Sequence, residues 1–274
     1  MFSVLLSLYH KEKFEYLEKC FESIWDNQSL KPSEIVLVLD GRIGEQLIIS
    51  VQNWQVKIGK KLKIVALPQN VGLGKALNEG LKNCSYEWVF RMDTDDICTS
   101  DRFEKQLAYI NDNPETAILG GQVLEFNSSI KDADKIKPVP SKYMEIINFS
   151  KRRNPFNHMT VAYKRSVILS LGGYHHHLFM EDYNLWLRVI SKGYKVANLD
   201  QVLVYARVGN GMHSRRRGLE YIKSEKQLLD LKVDLKVQTL ISAYTIFILR
   251  SWVRFLPSNF LGFVYNNLLR KRLN

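Results

Sequence analysis

The chain has 274 residues, of which 46% are hydrophobic and 24% charged, and its formal net charge is +11. This apolar content excludes an intrinsically disordered protein and is enough for one large domain with an appendage. Three distant cysteines, Cys20, Cys84 and Cys98, exclude a disulfide scaffold, and we expect them to be buried free thiols in a reducing compartment.

Strand-like and helix-like segments alternate in the first half. Apolar runs predict strands at residues 2–8, 35–39, 62–67 and 86–90, and helical spacing predicts helices at 14–25, 44–54 and 72–81. This order, with short connections, predicts an α/β fold with a mostly parallel sheet and helices on both faces. Ligands of such sheets bind at the carboxyl ends of the strands, where Ser7, Tyr9 and Asp40 fall.

Three carboxylates follow the fourth predicted strand. Asp93, Asp95 and Asp96 place like charges close together, which is costly unless a cation shares the site. Asp93 and Asp95 would point the same way on an extended segment, so both could face one Mg²⁺ or Mn²⁺ that carries a diphosphate. A solvated acidic turn that precedes a helix near Asp101 is the open alternative.

The second half is less regular. Apolar runs predict strands at 118–126 and 159–163, and a charged, proline-containing loop is predicted at 131–141. The turn Gly172-Gly173-Tyr174 precedes a helix predicted at 181–191. We expect the three consecutive histidines at 175–177 to lie in a solvated loop.

From residue 219 onward the pattern changes to long amphipathic helices. Residues 213–274 hold 12 Lys or Arg and 4 Asp or Glu, a net charge of +8. The apolar stretch 237–249 is shorter than the roughly 20 residues that a membrane-spanning helix needs, and aromatic side chains beside Arg and Lys suit an anionic membrane surface. A helical pair that packs on the preceding domain or forms a homodimer is the open alternative.

Five segments, in this order, resemble the inverting glycosyltransferases of family 2. They are the opening strand and turn Ser7-Leu8-Tyr9-His10, the second strand Val36-Leu37-Val38-Leu39-Asp40-Gly41, the segment Asn70-Val71-Gly72-Leu73-Gly74-Lys75-Ala76-Leu77-Asn78, the metal-binding motif Arg91-Met92-Asp93-Thr94-Asp95-Asp96, and Gly172-Gly173-Tyr174 followed by Met180-Glu181-Asp182-Tyr183 and Trp186. Ser7 and His10 replace the usual Pro and Asn of the family. The resemblance covers roughly residues 2–210 and is specific because the motifs occur together.

The resemblance implies the GT-A fold, a Rossmann-like, mostly parallel sheet flanked by helices, over residues 1–212. Its nucleotide-binding half would be 1–98 and its acceptor-binding half 99–212, and residues 213–274 would form a basic, membrane-associating helical extension. The resemblance also implies Mn²⁺ or Mg²⁺ as cofactor and a UDP-sugar as donor. The expected donor contacts are Ser7, Tyr9, Asp40, Asn70, Gly72, Lys75, Asn78, Arg91, Asp93 and Thr94. Asp93 and Asp95 are the expected metal ligands, with His213 as a third candidate; for Lys75 a solvated helix lysine remains open.

An inverting transfer needs a base that takes the proton of the acceptor hydroxyl. Asp182 is the expected base, and His158, Glu181 and Trp186 are expected on the acceptor or donor-sugar side. Two alternatives stay open. Glu181 and Asp182 could be first-turn acids that complement a helix dipole, and His158 could be a structural histidine.

The predicted activity is a metal-dependent, inverting transfer of galactose or glucose from a UDP-sugar to a lipid-diphosphate-linked saccharide. The resemblance is to bacterial O-antigen, capsule and exopolysaccharide (amylovoran-type) enzymes, which implies a peripheral protein on the cytoplasmic face of the inner membrane. A nucleotidyltransferase is an alternative, although Ser7 to Lys13 lacks the glycine that its phosphate loop needs. A basic nucleic-acid-binding protein is the third hypothesis, disfavoured by bulky apolar residues in the tail.

Overall fold

One mixed sheet with helices on both faces forms the body of the protein. The structure is a computed structural model that describes residues 1–208, 218–253 and 271–272. Its strands are β1 (Ser3–Leu8), β2 (Glu34–Leu39), β3 (Leu62–Ala66), β4 (Trp88–Arg91), β5 (Ile97–Cys98), β6 (Thr116–Phe126), β7 (Lys135–Lys137), β8 (Ala162–Lys164), β9 (Lys195–Arg207) and β10 (Lys271–Arg272). Its α-helices are α1 (Phe14–Phe21), α2 (Glu45–Ile58), α3 (Leu73–Asn83), α4 (Arg102–Asp112), α5 (Tyr143–Ser150), α6 (Arg165–Ser170), α7 (Glu181–Ser191), α8 (Leu219–Asp234) and α9 (Leu240–Val253).

The order of strands in the sheet separates a parallel half from an antiparallel half. The order β3-β2-β1-β4 is parallel throughout, so the carboxyl ends of these four strands share one edge. Beyond β4 the strands β8, β6 and β7 follow with antiparallel pairing, and β9 pairs with β6 in parallel. The predicted α/β fold is therefore confirmed, but the sheet is mixed in its second half. The loop predicted at 131–141 contains the short edge strand β7.

Two hydrophobic clusters cover the two faces of the sheet. Side chains alternate along β1, so that Val4, Leu6 and Leu8 pack on one face while Leu5 packs on the other. The first face is covered by α1, α2 and α4, and the second by α3, α6 and α7. Cys20, Cys84 and Cys98 are buried and free, as expected. The long core side chains thus fix the strand ends, from which the polar residues of the candidate site project.

Helices α8 and α9 form a hairpin that packs on α7. Tyr183 and Leu187 of α7 meet Tyr221 and Leu228 of α8 in a small apolar cluster. The structure therefore shows the alternative in which the C-terminal helices pack on the preceding domain. No helix among the described residues combines the length and hydropathy that a membrane crossing requires.

Lys232 on α8 is a buried lysine whose ammonium group donates to the Lys151 carbonyl at 2.8 Å. Burial lowers its pKa to about 7, an effect that Arg250 increases and Glu225 opposes. The unfolded chain keeps this proton up to a pKa of about 10.4, so above pH 7 the unfolded state binds more protons than the folded state. The free energy of unfolding consequently gains a positive pH slope from Lys232.

We expect urea unfolding to show this contribution of Lys232 between pH 7 and about 8.5. Above that range, the cysteine thiols that unfolding exposes also titrate. The free energy of unfolding of the wild-type chain should rise with pH relative to that of Lys232→Met, which has no ammonium group to bury. Identical pH slopes for the two proteins would contradict the buried, uncharged lysine.

Candidate active site

The end of β2 is tied to the loop that leads into α3. The Asp40 carboxylate accepts hydrogen bonds from the backbone N–H groups of Val71 (2.7 Å) and Gly72 (3.2 Å), and the Asn70 side chain donates to the Asp40 carbonyl at 3.3 Å. Gly41 has φ +84°, and a Cβ there would lie 2.6 Å from the Asn70 nitrogen. The structure thus brings the predicted residues Asp40, Asn70 and Gly72 together, with Asp40 as the buried anchor of the loop.

The acidic turn after β4 brings three carboxylates together. One oxygen from each of Asp93, Asp95 and Asp96 lies within 4.8 Å of the others. Burial, then Asp93 and Glu12, raises the pKa of Asp95 to about 7, and burial followed by the other two carboxylates raises the pKa of Asp96. Such crowding of like charges, two of them half-buried and one fully buried, is unfavourable by itself. A hard, oxygen-binding cation relieves it, so the donor set fits Mg²⁺ or Mn²⁺.

Arg91 lies beneath this turn and pairs with Asp93. Its side chain is 1% exposed, and one terminal nitrogen contacts the Asp93 carboxylate. Burial alone would lower the pKa of Arg91, but Asp93 outweighs burial and the pKa is raised. Arg91 therefore keeps its charge in the core and orients one of the three carboxylates from below.

Two residues that the sequence reasoning missed, Glu12 and Arg207, hold the acidic turn in place. Thr94 donates its hydroxyl to Glu12 at 2.7 Å, and the Arg207 backbone N–H donates to Asp96 at 2.7 Å. The Arg207 guanidinium also donates to the Asp95 carbonyl at 3.2 Å. The side chain of Thr94, an expected donor contact, is buried and supports the turn through Glu12.

Asp182 lies in the first turn of α7, in the electrostatic field of Arg91. Asn154 donates to Asp182 at 2.6 Å, and the Tyr183 backbone N–H donates to the other oxygen at 2.7 Å. Burial raises the pKa of Asp182, whereas these hydrogen bonds, Lys137 and Arg91 lower it. Asn154 carried no recognisable signal in the sequence. The carboxylate is half-buried and fixed by one amide side chain, a geometry suited to a positioned base.

Helix α3 is joined to the turn before α7 by Asn78. Its side-chain amide donates to the Tyr174 carbonyl (2.8 Å) and its oxygen accepts from the Tyr174 N–H (2.7 Å). We expected Asn78 to contact the nucleotide, but both ends of its side chain bind protein backbone. Gly74 of α3 packs against Glu181, because a Cβ at Gly74 would lie 3.2 Å from the Glu181 Cγ. Lys75, on the same helix, is exposed.

The predicted acceptor-side residues differ in accessibility. His158 is half-buried, and its Nε2 lies 2.9 Å from the Tyr174 hydroxyl. Burial, followed by Arg91 and Lys137, lowers the pKa of His158 well below its ordinary value, so the ring is neutral. Trp186 lies on the predicted side of the site, but its ring is fully buried among Phe156, His158 and Tyr174.

The remaining predicted residues are two at the end of β1, His213, and the three histidines at 175–177. Ser7 is half-buried and Tyr9 exposed at the end of β1, while His213 lies outside the described residues. The solvated loop expected at 175–177 is wrong for His177, which is fully buried. Its Nε2 donates to the Ser224 carbonyl at 2.9 Å, and its Nδ1 lies 3.2 Å from the Asn184 amide.

Comparisons with known proteins agree with this geometry. The model of the family described as "Glycosyl transferase family 2" matches residues 3–170. The chain is 47% identical to the amylovoran biosynthesis glycosyltransferase AmsE of Erwinia amylovora, over 97% of this chain and 98% of that protein. It is 36% identical to the UDP-Gal:alpha-D-GlcNAc-diphosphoundecaprenol beta-1,3-galactosyltransferase of Escherichia coli, over 99% and 98% of the two chains.

Solved structures share the fold at low sequence identity. The crystal structure of S. aureus TarS 1–349 in complex with UDP-GlcNAc superposes with a TM-score of 0.68 at 19% identity, over 92% of this chain and 72% of that one. This likeness confirms the predicted GT-A fold.

Proposed function

Since the chain belongs to glycosyl transferase family 2 and is a glycosyltransferase, we propose that it moves a hexose from a UDP-sugar to a lipid-diphosphate-linked saccharide, with inversion at the anomeric carbon. The donor contacts would come from residues 1–98 and the acceptor contacts from 99–212. The observation that carries the proposal is the convergence of three carboxylates after β4, one of which, Asp93, pairs with the buried Arg91.

The donor end of the site is the acidic turn. Asp93 and Asp95 would hold a Mg²⁺ or Mn²⁺ ion, which when bound neutralises the charge that develops on the departing diphosphate. Arg91 fixes Asp93 from beneath, while Glu12 holds the Thr94 side chain and Arg207 holds Asp96. These contacts preorganise the carboxylates before the donor arrives, which avoids reorganisation during the reaction.

The acceptor end of the site is the first turn of α7. Asp182 would accept the proton of the acceptor hydroxyl as that oxygen attacks the anomeric carbon on the face opposite the diphosphate. Asn154 keeps one Asp182 oxygen in a fixed direction. The neutral His158 ring would line the sugar beside this base, while the buried Tyr174 and Trp186 rings support it from the core.

The names of two relatives support the proposed acceptor. The Escherichia coli relative is named for galactosyl transfer from UDP-Gal to a GlcNAc-diphospholipid, and the Erwinia relative for amylovoran biosynthesis. The decisive experiment offers UDP-, GDP- and dTDP-hexoses with a synthetic GlcNAc-diphospholipid and identifies the product by mass spectrometry. We expect transfer from UDP-galactose or UDP-glucose, whereas transfer only from GDP- or dTDP-sugars would refute the proposed donor.

We also propose that α9 contacts an anionic membrane surface, on the cytoplasmic side where UDP-sugars are made. The outward side chains of α9 are apolar and exposed: Leu240, Ile241, Tyr244, Ile248, Leu249 and Trp252. They follow helical spacing along one face, and the exposed Lys223 and Lys226 lie on the neighbouring helix. An apolar stripe with aromatic and basic neighbours matches the headgroup region of an anionic leaflet.

Liposome flotation tests this stripe. We expect Ile241→Glu/Ile248→Glu to lose binding to anionic vesicles by at least about tenfold, because two charges enter the apolar face. The matched control is Val56→Glu, which alters an exposed apolar residue of α2 and should bind as the wild-type chain does. Unchanged flotation of the double variant, or a change in its oligomeric state alone, would show that the stripe serves another partner such as a second copy of the chain.

A further inference from the structure

The α8–α9 hairpin reaches the segment that holds Asp182. Three successive carbonyls at the end of α5 each accept a hydrogen bond from a different helix. Ser150 accepts from the Tyr183 hydroxyl of α7 at 2.5 Å, Lys151 from Lys232 of α8 at 2.8 Å, and Arg152 from Arg250 of α9 at 2.8 Å. Donors at a helix C-terminus satisfy carbonyls that have no partner within the helix. The end of α5 is therefore held from three sides.

Arg250 is itself held by a buried carboxylate. Glu225 of α8 is 2% exposed and accepts two hydrogen bonds from the Arg250 guanidinium, at 2.7 and 2.8 Å. The third direction of the planar guanidinium is aimed at the Arg152 carbonyl. Burial of the Glu225 carboxylate makes this ion pair a costly way to join two helices, because apolar side chains would do so without desolvation, although Arg250 keeps 23% of its side chain exposed. The planar guanidinium, however, holds its N–H groups in fixed directions, so that one of them donates a hydrogen bond in a defined direction.

The segment so held carries the partner of the proposed base. Asn154 follows Arg152 by two residues and donates to Asp182 at 2.6 Å, while its own oxygen accepts from the Phe156 N–H at 3.2 Å. The hairpin also contacts the turn that leads into α7, since the Ser224 carbonyl of α8 accepts a hydrogen bond from His177. The 150–154 segment is thus the part of the structure through which the hairpin reaches Asp182.

We propose that Arg250 is a positioning residue for the transfer reaction: through the Arg152 carbonyl it fixes the 150–154 segment, and through Asn154 it orients Asp182. This inference rests on the proposed role of Asp182 as the base. It places the C-terminal hairpin, which lies beyond the region matched by the family model, within the catalytic machinery. It also predicts that displacement of the hairpin alters the acceptor end of the site and spares the acidic turn.

The test compares variants that keep the hairpin folded. Arg250→Met alone would leave the Glu225 carboxylate buried without its counter-charge, so the informative variant is Glu225→Met/Arg250→Met, which replaces the pair by apolar side chains. Arg250→Lys keeps the positive charge but lacks the planar guanidinium that bonds Glu225 and the Arg152 carbonyl together. The matched control is Asp26→Asn/Lys57→Gln, which removes a solvent-accessible ion pair that the proposed site and membrane surface do not include. Each protein is assayed with UDP-galactose and a GlcNAc-diphospholipid, and its melting temperature is measured.

For the Met/Met variant we expect kcat for transfer to fall by about 10- to 100-fold, because the base is misplaced. The acid limb of the pH–kcat profile should move to higher pH, because the carboxylate loses a stabilising hydrogen bond from Asn154. The Kd for UDP with Mn²⁺ should stay within about twofold, since the acidic turn is untouched. Arg250→Lys should lie between this variant and the wild-type chain, and the control pair should match the wild-type chain.

Two results would overturn the inference. One is a folded Met/Met variant with wild-type kcat and an unmoved acid limb. The other is a parallel loss of kcat, UDP affinity and melting temperature, which a purely structural role would give. Asp182→Asn is assayed alongside: if that variant retains transfer, the base assignment itself fails and this inference with it. If it is inactive while the Met/Met variant is unaltered, only the inference about Arg250 fails.

Discussion

Replacement of Asp182 by asparagine is expected to lower kcat for sugar transfer by about 10³-fold, the usual contribution of a positioned general base. Asparagine keeps the size and polarity of the side chain, so the fold and the contact with Tyr183 should persist. What is lost is the ability to take a proton from the acceptor hydroxyl. The measurement is steady-state transfer from UDP-galactose to a GlcNAc-diphospholipid, with UDP affinity in the presence of Mn²⁺ recorded in parallel.

The control for Asp182→Asn separates catalysis from helix stability. Glu220→Gln removes the first-turn acid of α8, which is exposed and paired with Lys223. If Asp182 merely complemented the dipole of α7, both substitutions would cost a few tenths of a kcal/mol to about 1 kcal/mol of stability and neither would change kcat. We expect only Asp182→Asn to lower kcat, and UDP affinity to be unchanged in both variants.

The second large effect is expected for Asp95→Asn. This change removes one of the three carboxylates of the acidic turn, and we expect transfer and Mn²⁺-dependent UDP binding to fall by at least about 100-fold, because a hard cation loses a charged ligand. In the absence of metal the melting temperature should rise or stay the same, since repulsion between Asp95 and its neighbours is relieved. The UDP-binding assay therefore reports the loss of a metal ligand, and the melting temperature reports any loss of folding.

Asp101→Asn is the matched control for this substitution. Asp101 follows the acidic turn but is more open to solvent and pairs with Lys105. UDP binding of Asp101→Asn should equal that of the wild-type chain at every Mn²⁺ concentration. Wild-type Mn²⁺ dependence in Asp95→Asn would mean that the acidic turn is a structural turn and holds no ion.

The parallel half of the fold and its strand ends were predictable because their signals are local. Uninterrupted apolar runs marked β1 to β4, and in a parallel sheet their carboxyl ends must share an edge. The amino-acid order alone therefore places Asp40, Asn70 and Asp93 near one another. The start of α7 at Glu181 was also predictable, because a glycine-rich turn and two acidic residues precede its apolar positions.

The features that could not be predicted from the sequence depend on contacts between distant segments. The long strand β9 alternates irregularly between buried and exposed residues, so no clean period marks it. Arg207, Asn154 and Arg250 act through hydrogen bonds to residues 28 to 112 positions away, which no local pattern reports. The burial of Trp186 was not predictable for a related reason. Helix α7 is buried on every side from Tyr183 to Ile190, and the spacing of aromatics cannot distinguish a core from a binding surface there.

We propose that the carboxylates after β4 hold a divalent cation for the transfer of a sugar from a UDP donor. The test is the rate of transfer from the UDP-hexose to the GlcNAc-diphospholipid in three conditions: untreated, after chelation with EDTA, and after Mn²⁺ or Mg²⁺ is returned. We predict a loss of at least about 100-fold on chelation and full recovery with the cation. A transfer rate that chelation leaves unchanged would show that the transfer needs no divalent cation.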